Sequence, residues 1–509
     1  MLQLKVAWYE EQIALAKQRE FGHSRESSAE QLSLFHFDEA EQTANPQVVE
    51  PSLEVEEETP SRKRKRIGKR DEFWENLPVE TTVYDLPEEE RICDVCGETL
   101  HEMSEEVSRR LKIIPAQFIV EEHRRKVYSC RSCEQENIET PVVTAAAPNP
   151  PIPGSIASPS ALAYVITQKY CEGMPLYRIE QFLHRLDLDV SRQNLSNWVV
   201  LSTERWLQPL YDELQRSLRQ RRYAHSDETP LQVLKEPGRA PQTKSSMWLY
   251  STSGCDADRA VILYDYQQTK AAKWPRIFLE GFEGFLHTDG AQSYEAAGLV
   301  GVTLVGCLAH CRRGFFKALK VLPKGVDPKD THAAMGLEFC DRLFELERQY
   351  IKRNLDANER FRARLAYSFP VLQEFYSWLR KERPKVLPKS GIGQAISYCL
   401  NQWAKLMAFL LDGNLEISNN RAENHIRPFV VGRKAWLFSN TPRGAKASAT
   451  AYSIIETAKA NRLLPFQYLT WLFERLPNME LTEDNLQDTL PWSCSIPDYC
   501  KMSPVEDDS

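Results

Sequence analysis

Two Cys-x-x-Cys pairs constrain the fold of this chain more than any other feature: Cys93 with Cys96, and Cys130 with Cys133 after 33 intervening residues. In an intracellular protein such pairs indicate metal ligands more often than disulfides, and a redox role is the weaker alternative. Four thiolates complete the tetrahedral coordination of a closed structural Zn²⁺ site. A strand-like run leads into the second pair, as in a zinc ribbon. The spacing therefore predicts a zinc-finger domain at residues 89–135.

The length of 509 residues exceeds one ordinary hydrophobic core and predicts two to four domains. No run approaches the ~20 apolar residues of a membrane helix, and the chain does not open with a signal-peptide pattern. We therefore expect a cytoplasmic protein with no membrane partner. We expect the remaining cysteines to be plain thiols: Cys171, Cys255, Cys307, Cys311, Cys340, Cys399, Cys494 and Cys500.

The net charge of −7 does not exclude a nucleic-acid partner, because the charge is unevenly distributed. Residues 1–60 hold 4 basic and 13 acidic residues, a net charge of −9, so the rest of the chain carries +2. Residues 421–446 hold six basic residues against one acidic residue, a net charge of +5. Phosphate binding depends on local charge, so this segment is a candidate DNA contact.

Composition and periodicity divide the chain into segments. Apolar residues at spacings of four and three near the N-terminus predict either a zipper-like helix or an amphipathic helix that packs on its own chain. We predict these segments: a zipper-like helix at 1–40, a charged linker at 41–88, the zinc finger at 89–135, a Pro-rich linker at 136–160, a helix-turn-helix-like region at 161–215, a catalytic core at 216–445 with a helical insertion at about 311–415, a C-terminal helical domain at 446–490 and a tail at 491–509.

The helix-turn-helix-like region depends on a break near residues 188–190 between two helical stretches. Ser191 is a good N-cap for the second stretch, which would place Arg192 and Gln193 in its exposed first turn. Docked in a major groove, those side chains would reach base edges. Simple packing of two consecutive helices remains the alternative.

The middle of the chain alternates short β-rich runs with helical stretches. Three strands, a helix near residues 269–279 and two further strands predict a mixed α/β sheet. The predicted strands are Tyr223–Ser226, Met247–Ser251, Ala260–Tyr264, Phe285–His287 and Val302–Val305.

Three acidic residues in this region are candidate ligands for divalent cations. Asp227 and Asp289 are each predicted at the end of a strand, and Gly290 after Asp289 would allow close approach of backbone. Glu423 lies in a segment with helical tendency. Carboxylates from neighbouring strands and a helix can hold two Mg²⁺ ions about 4 Å apart. Spacing alone would not select these three from the 71 acidic residues.

Several sequence motifs together resemble transposases of the insertion sequence 66 family, in order along nearly the whole chain. They include the zinc pairs and these segments: His225-Ser226-Asp227-Glu228-Thr229-Pro230, His287-Thr288-Asp289-Gly290, Gly306-Cys307-Leu308-Ala309-His310-Cys311-Arg312-Arg313, Asn420-Arg421-Ala422-Glu423-Asn424-His425-Ile426-Arg427-Pro428, Gly432-Arg433-Lys434, Trp436-Leu437-Phe438 and Ile455-Glu456-Thr457-Ala458-Lys459-Ala460-Asn461.

The resemblance implies an α/β multidomain protein with a ribonuclease-H-like core, preceded by a zinc ribbon and a helix-turn-helix-like region. It implies a DDE triad of Asp227, Asp289 and Glu423 that binds Mg²⁺ or Mn²⁺, with Zn²⁺ in the finger. The reaction would be hydrolysis at the ends of a bacterial insertion sequence, followed by attack of each 3′-hydroxyl on target DNA. Double-stranded DNA is the implied partner, with a homo-oligomer on DNA, possible element-encoded accessory proteins and a nucleoid location.

Basic residues beside the acids are candidate DNA contacts. His310, Arg312 and Arg313 would hold the scissile phosphate; a structural His beside a solvated Arg pair is the alternative. A second set would neutralise phosphates near the metals: Arg427, Arg433 and Lys434. Two other functions compete with the active transposase. One is a catalytically inactive, transposase-derived DNA-binding protein, and the other is a stand-alone nuclease, which would need neither the zinc module nor the helix-turn-helix.

Overall fold

The computed structural model describes residues 56–57, 81, 106–107, 117–129, 142–320, 327 and 331–503. The four zinc-finger cysteines and the zipper-like helix are predictions that lie outside the described residues. The chain separates into two compact units, residues 27–126 and residues 1–26 with 127–509. In the unit of residues 27–126, β1 (Glu56–Glu57) pairs antiparallel with β2 (Glu106–Val107).

A five-stranded mixed sheet forms the centre of the larger unit, so the predicted mixed α/β architecture is confirmed. Its strand order is β7-β6-β5-β8-β9, with antiparallel pairing from β7 to β5 and parallel pairing from β5 to β9. A separate antiparallel ribbon joins β3 (Val127–Ser129) to β4 (Val142–Thr144). The strands of the main sheet are β5 (Tyr223–Gln232), β6 (Lys244–Thr252), β7 (Ile262–Gln267), β8 (Gly284–His287) and β9 (Val302–Val305).

Helices surround the sheet. In chain order the described α-helices are α1 (Pro159–Tyr170), α2 (Leu176–His184), α3 (Arg192–Ser202), α4 (Gln208–Arg219), α5 (Lys273–Phe278), α6 (Gln292–Ala296), α7 (Leu308–Lys320), α8 (His332–Lys352), α9 (Ala357–Ala363), α10 (Phe369–Glu382), α11 (Gly391–Asn401), α12 (Trp403–Met407), α13 (Asn420–Trp436), α14 (Pro442–Ala460), α15 (Pro465–Arg475) and α16 (Glu483–Gln487). None of them combines the length and the apolar character that crossing a bilayer requires.

The start of α3 follows from its capping residue. Ser191 is the N-cap, and its hydroxyl accepts a hydrogen bond from the backbone N–H of Asn194. This bond satisfies one of the backbone donors that a helix leaves open in its first turn. The predicted N-cap of α3 is therefore confirmed. Docking of α3 on DNA stays a prediction.

The outer edge of the sheet is covered by α14. The hydroxyl of Thr457 accepts a hydrogen bond from Ile262 N and donates one to Ile262 O, both at 2.9 Å. Ser453 accepts from Tyr264 N at 2.8 Å. These side chains satisfy backbone groups of β7 that an edge strand would otherwise expose to pairing with other chains. The helix is buried along most of its length as a result.

A helical block at residues 308–411 has its own hydrophobic core. It comprises α7 to α12 and the 3-10 turn Ala408–Leu411. Fully buried side chains from four of its helices meet there: Phe315, Leu343, Phe375 and Ile396. Because the block begins with α7, its packing fixes the side chains that α7 presents towards the sheet.

Two cysteines of this block correct the expectation of plain thiols. Cys311 on α7 and Cys399 on α11 form a disulfide, with their Cα atoms 6.0 Å apart and a separation of 88 positions in sequence. Cys340 on α8 lies beside them, with its Sγ 3.9 Å from that of Cys311. Three helices pack with these cysteines on facing surfaces, and no local spacing in the sequence indicates that. Within the described residues, Cys171, Cys255, Cys307, Cys494 and Cys500 form no disulfide, as expected.

A buried ion pair connects the parts of the helical block. Arg364, only 1% exposed, donates to both carboxylate oxygens of Glu347 on α8, at 2.8 and 2.7 Å. The same guanidinium donates to the backbone carbonyls of Phe409, Asp412 and Leu415. A buried charge with this many partners is fully compensated, and removing it would leave Glu347 and three carbonyls without theirs.

We predict that Arg364→Ala lowers the free energy of unfolding by about 3–5 kcal/mol, because it leaves an uncompensated buried carboxylate. Urea unfolding followed by tryptophan fluorescence measures the change, since Trp378 and Trp403 lie in this block. Arg362→Ala removes an exposed arginine two residues away and should change stability by less than about 0.5 kcal/mol. Equal effects of the two substitutions would contradict the role given to Arg364.

Candidate active site

Parallel pairing of β5 with β8 brings Asp227 and Asp289 together. The register sets His225 opposite His287, and each acid follows its histidine by two residues. The expectation that Asp227 ends a strand is wrong. β5 continues to Gln232 because it stays paired with β6 after its pairing with β8 stops at His225. Asp289 follows the end of β8 as expected, so both acids lie where β8 stops.

The turn after Asp289 requires the glycine that follows it. Gly290 has a φ of 91°, a conformation that L side chains rarely adopt. A Cβ there would also lie 3.4 Å from the hydroxyl of Tyr398. That hydroxyl donates a hydrogen bond to the carbonyl of Asp289 at 2.9 Å, which ties this turn to α11. The Asp289 side chain accepts from Ala291 N at 2.9 Å.

Glu423 enters the site from the first turn of α13. Arg313 on α7 donates through Nη2 to both of its carboxylate oxygens, at 3.2 and 3.0 Å. His310 Nδ1 lies 3.6 Å from Glu423 Oε1, and His310 Nε2 lies 3.3 Å from Arg313 Nη1. A carboxylate at a helix N-terminus is also favoured by the helix dipole. Glu423 is therefore held in place from the helical block.

The acids are close enough to perturb one another. Burial, followed by the neighbouring charge of Asp289 and smaller effects of the Glu228 and Glu423 charges, raises the pKa of Asp227 from 3.8 to about 8. A hydrogen bond from the backbone N–H of Glu228 opposes this rise in the pKa. Burial and Asp289 likewise raise the pKa of Glu228. Such crowding of buried carboxylates is the arrangement that a bound cation would relieve.

Glu228 is a fourth acid beside the triad and was not selected from the sequence. Its side chain is 5% exposed and pairs with Lys270 at 3.1 Å. Tyr294 donates to it at 3.2 Å, and the Tyr294 and Ser226 hydroxyls are 2.9 Å apart. Glu228 directly follows Asp227 in the same motif, so the sequence places it near the triad. The sequence does not indicate that its side chain is buried.

Two stacked histidines and an asparagine contact the strand segments that lead to Asp227 and Asp289. His225 and His287, both fully buried, stack with ring centroids 4.3 Å apart. Burial lowers the pKa of both, which keeps the rings neutral beside each other. Asn419 Oδ1 accepts a hydrogen bond from His225 Nδ1 at 3.0 Å, and Asn419 Nδ2 donates to Ser226 O at 2.9 Å. Asn419 therefore joins the start of α13 to β5.

A signal for this support was present in the sequence. His-x-Asp occurs at the ends of two predicted strands, as His225-Ser226-Asp227 and His287-Thr288-Asp289. Repetition of this pattern on two predicted strands could have indicated that the strands are neighbours in the same register. Asn419 had no comparable signal, because its role depends on where α13 meets the sheet.

The basic residues proposed as DNA contacts have different surroundings. Arg312 pairs with Asp341 on α8 at 2.6 Å and Arg313 with Glu423, so both interact within the protein. Arg433 donates to the Thr229 hydroxyl at 3.0 Å and to the carbonyl of Pro230, linking α13 to β5. Burial lowers the pKa of Arg427 and of Arg433.

Three further candidates are more open to solvent. Lys434 is exposed in the last turn of α13. Arg192 and Gln193 are exposed at the start of α3, where Arg192 N donates to Glu180 at 2.7 Å and Gln193 donates to Asn197 at 3.1 Å. The structure thus brings His310 and Arg313 to the acids and places Arg192 and Gln193 on a different element.

The donor set of the site fits hard divalent cations. Asp227, Asp289 and Glu423 offer carboxylate oxygens, the ligands that Mg²⁺ and Mn²⁺ prefer. The raised pKa of Asp227 fits the same conclusion, since a cation would stabilise its charged form. Chemically, the arrangement is a cluster of carboxylates able to hold divalent cations.

Comparison with known proteins identifies the family. The family described as "Transposase IS66 family" matches residues 154–447, which is more than half of the chain. Further matches are the zinc-finger binding domain of transposase IS66 at 90–134, the IS66 C-terminal element at 453–492 and a segment described as "Transposase C of IS166 homeodomain" at 8–82. The chain belongs to the IS66 family of transposases, as the sequence motifs indicated.

Two relatives are similar to this chain over most of their own length, and their names assign no activity to them. "Uncharacterized protein y4jD" of Sinorhizobium fredii (strain NBRC 101917 / NGR234) is 29% identical over 436 residues, covering 82% of this chain and 81% of the relative. "Uncharacterized protein y4qI" of the same organism is 30% identical over 403 residues, covering 77% and 71%.

We predict that Asp227→Asn stabilises the protein at pH 8 without added divalent cations. The raised pKa means that the folded protein binds more protons than the unfolded chain between pH 3.8 and about 8, so wild-type stability falls as pH rises through that window. Asparagine cannot ionise, and the gain at pH 8 should be on the order of 3 kcal/mol.

Urea unfolding at pH 5 and pH 8 measures this difference. Asp187→Asn is the matched control, because Asp187 is exposed and its φ of 58° suits asparagine equally well. If wild type and Asp227→Asn lose stability in parallel between the two pH values, the perturbed pKa of Asp227 is wrong.

Proposed function

We propose that the chain is a DDE-type transposase that binds the ends of an insertion sequence, cleaves them and joins the freed 3′-hydroxyls to target DNA. Membership of the IS66 family supports the reaction class. The observation that carries the residue assignment is the convergence of Asp227, Asp289 and Glu423 from two neighbouring strands and a helix. A catalytically inactive DNA-binding descendant is the alternative; the presence of all three acids in one site favours activity.

The sheet supports a ribonuclease-H-like catalytic core. Three antiparallel strands continue into two parallel ones, and the acids lie on the central strand, after its parallel neighbour and on a helix that crosses to them. The helical block stands in the chain between the second and third acids, as the predicted insertion at about 311–415 requires.

Asp227, Asp289 and Glu423 would hold Mg²⁺ or Mn²⁺. When bound, such ions activate a water or a 3′-hydroxyl and stabilise the leaving oxygen of a phosphodiester. The protein's own contribution is to orient the carboxylates. Arg313 fixes both oxygens of Glu423, and Tyr398 fixes the backbone of Asp289. The stacked and fully buried His225 and His287 precede the two aspartates by two residues on their strands.

The basic residues would place DNA relative to these acids. Lys434 and Arg427 on α13 lie on the same helix as Glu423 and would neutralise nearby phosphates. Arg433, His310, Arg312 and Arg313 combine such contacts with their bonds inside the protein. On α3, Arg192 and Gln193 would contact base edges. Simultaneous binding of two DNA ends favours a homo-oligomer of at least two chains on DNA, and element-encoded accessory proteins are further candidate partners.

We expect Asp227→Asn, Asp289→Asn and Glu423→Gln each to reduce Mg²⁺-dependent cleavage of the element's ends by about 1000-fold or more. Binding of the ends should be largely retained, because the phosphate contacts remain. Cleavage of labelled end DNA and a mobility-shift assay measure the two quantities. Glu374→Gln is the control, since Glu374 is an exposed acid on α10 that pairs with Arg342.

Full cleavage by any one triad variant would remove that residue from the assignment. Normal end binding by a wild-type protein that cannot cleave with either Mg²⁺ or Mn²⁺ would favour the inactive DNA-binding alternative.

For the zinc finger, we propose that Cys93, Cys96, Cys130 and Cys133 bind one Zn²⁺. Cys93→Ser should remove about one Zn²⁺ per chain and unfold residues 89–135, because small zinc domains depend on the ion for their stability. Metal analysis and limited proteolysis measure these effects, and the catalytic core should resist digestion. Cys494→Ser, at an exposed cysteine, is the control. Full zinc content with normal end binding in Cys93→Ser would contradict the proposal.

A further inference from the structure

A cysteine and a histidine lie beside Glu423 with a different donor chemistry from the triad. Cys307 directly precedes α7, and His310 lies in the first turn of that helix. Their potential ligand atoms and those of Glu423 all lie within 4.8 Å of one another. Because Cys307 and His310 are three residues apart at a helix start, they face the same side. One sulfur, one nitrogen and one carboxylate oxygen therefore converge.

This donor set suits Zn²⁺ or a similar borderline cation better than Mg²⁺. Tetrahedral zinc with Zn–N of about 2.0 Å and Zn–O of about 2.1 Å separates those donors by about 3.4 Å. His310 Nδ1 and Glu423 Oε1 are 3.6 Å apart, so only a small adjustment is needed. Within the described part of the chain, His310 Nδ1 is buried without a hydrogen-bond partner. Three protein ligands would leave a fourth position open.

The sulfur is positioned by backbone donors. Asn419 N donates to Cys307 Sγ at 3.1 Å, and the backbone N–H groups of Ala309 and His310 also bond to it. Such donors fix the orientation of a sulfur ligand. Cys307 is fully buried, whereas the side chains of His310 and Glu423 are each 27% exposed. A cation would enter between His310 and Glu423 and meet the sulfur at the bottom of the site.

Both uses of Glu423 draw on the same carboxylate. Arg313 Nη2 bonds to both Glu423 oxygens, and Oε1 is the oxygen that faces His310. We propose that Cys307, His310 and Glu423 form a second metal site that binds Zn²⁺ and, by withdrawing Glu423 from the Mg²⁺ ligands, inhibits strand cleavage. The binding step stands on the geometry alone; the inhibition rests on the proposed transposase function.

Cobalt is the probe for binding, because Co²⁺ replaces Zn²⁺ at such sites and thiolate ligation gives a charge-transfer absorption band. Full-length protein with its zinc finger already loaded is titrated with Co²⁺. We expect one additional thiolate band in wild type and in Cys494→Ser, and its loss in Cys307→Ser. Serine keeps an acceptor for Asn419 N and should preserve the fold. His310→Asn provides a second variant, expected to weaken Co²⁺ binding about tenfold or more.

Cleavage of end DNA in Mg²⁺ with increasing Zn²⁺ tests the inhibition. We expect Cys307→Ser to cleave normally in Mg²⁺ alone and to need about tenfold or more Zn²⁺ for half-inhibition. Absence of the additional cobalt band in wild type would overturn the site. A band with unchanged Zn²⁺ sensitivity in Cys307→Ser would overturn the inhibition. If wild type never cleaves, the proposed function fails, and the inhibition with it, while the cobalt titration still decides the site.

Discussion

The short parallel pairing between β5 and β8 is the contact on which the site depends. It starts where Phe285 N donates to Arg222 O at 2.8 Å, and a Cβ at Gly284 would lie 2.2 Å from that same oxygen. Glycine is therefore required for the two strands to approach. The pairing ends at His225 and His287, and beyond it β5 has no neighbour on that side among the described strands. The opening leaves room for the two aspartates and for the start of α13.

Grouping acids in a partly closed site has an electrostatic cost, which the surroundings only partly offset. Lys270 pairs with Glu228 and Arg313 with Glu423, whereas Asp227 receives a single backbone hydrogen bond and has a raised pKa. Neutral histidines beneath the aspartates add no positive charge. A site built this way is stabilised by divalent cations, and it is also open to a competing cation where a sulfur and an imidazole lie next to one of the carboxylates.

The helical block takes part in the site through α7. One side of this helix buries Leu308, Cys311 and Phe315 in the core of the block. His310 and Arg313 are half-buried on another side and reach Glu423. Packing of the block, including the disulfide from Cys311 to α11, therefore sets the position of groups that hold a carboxylate supplied by a different helix. A substitution that alters the packing of the block would therefore change the position of Glu423 through His310 and Arg313.

Local sequence determined the elements of this protein, because capping residues and the alternation of apolar residues act over a few positions. It predicted five strands of a mixed sheet, the N-cap at Ser191 and a helical stretch after β9, and its motifs indicated the family.

Tertiary structure decided what those signals could not. The continuation of β5 past Asp227 depends on its pairing with β6, and the meeting of Cys311 with Cys399 depends on packing across 88 residues. The placement of Arg313 on Glu423 and the joining of α13 to β5 by Asn419 required the assembled sheet and helices. Contacts between residues far apart in the chain have no local pattern, so only the fold could reveal them.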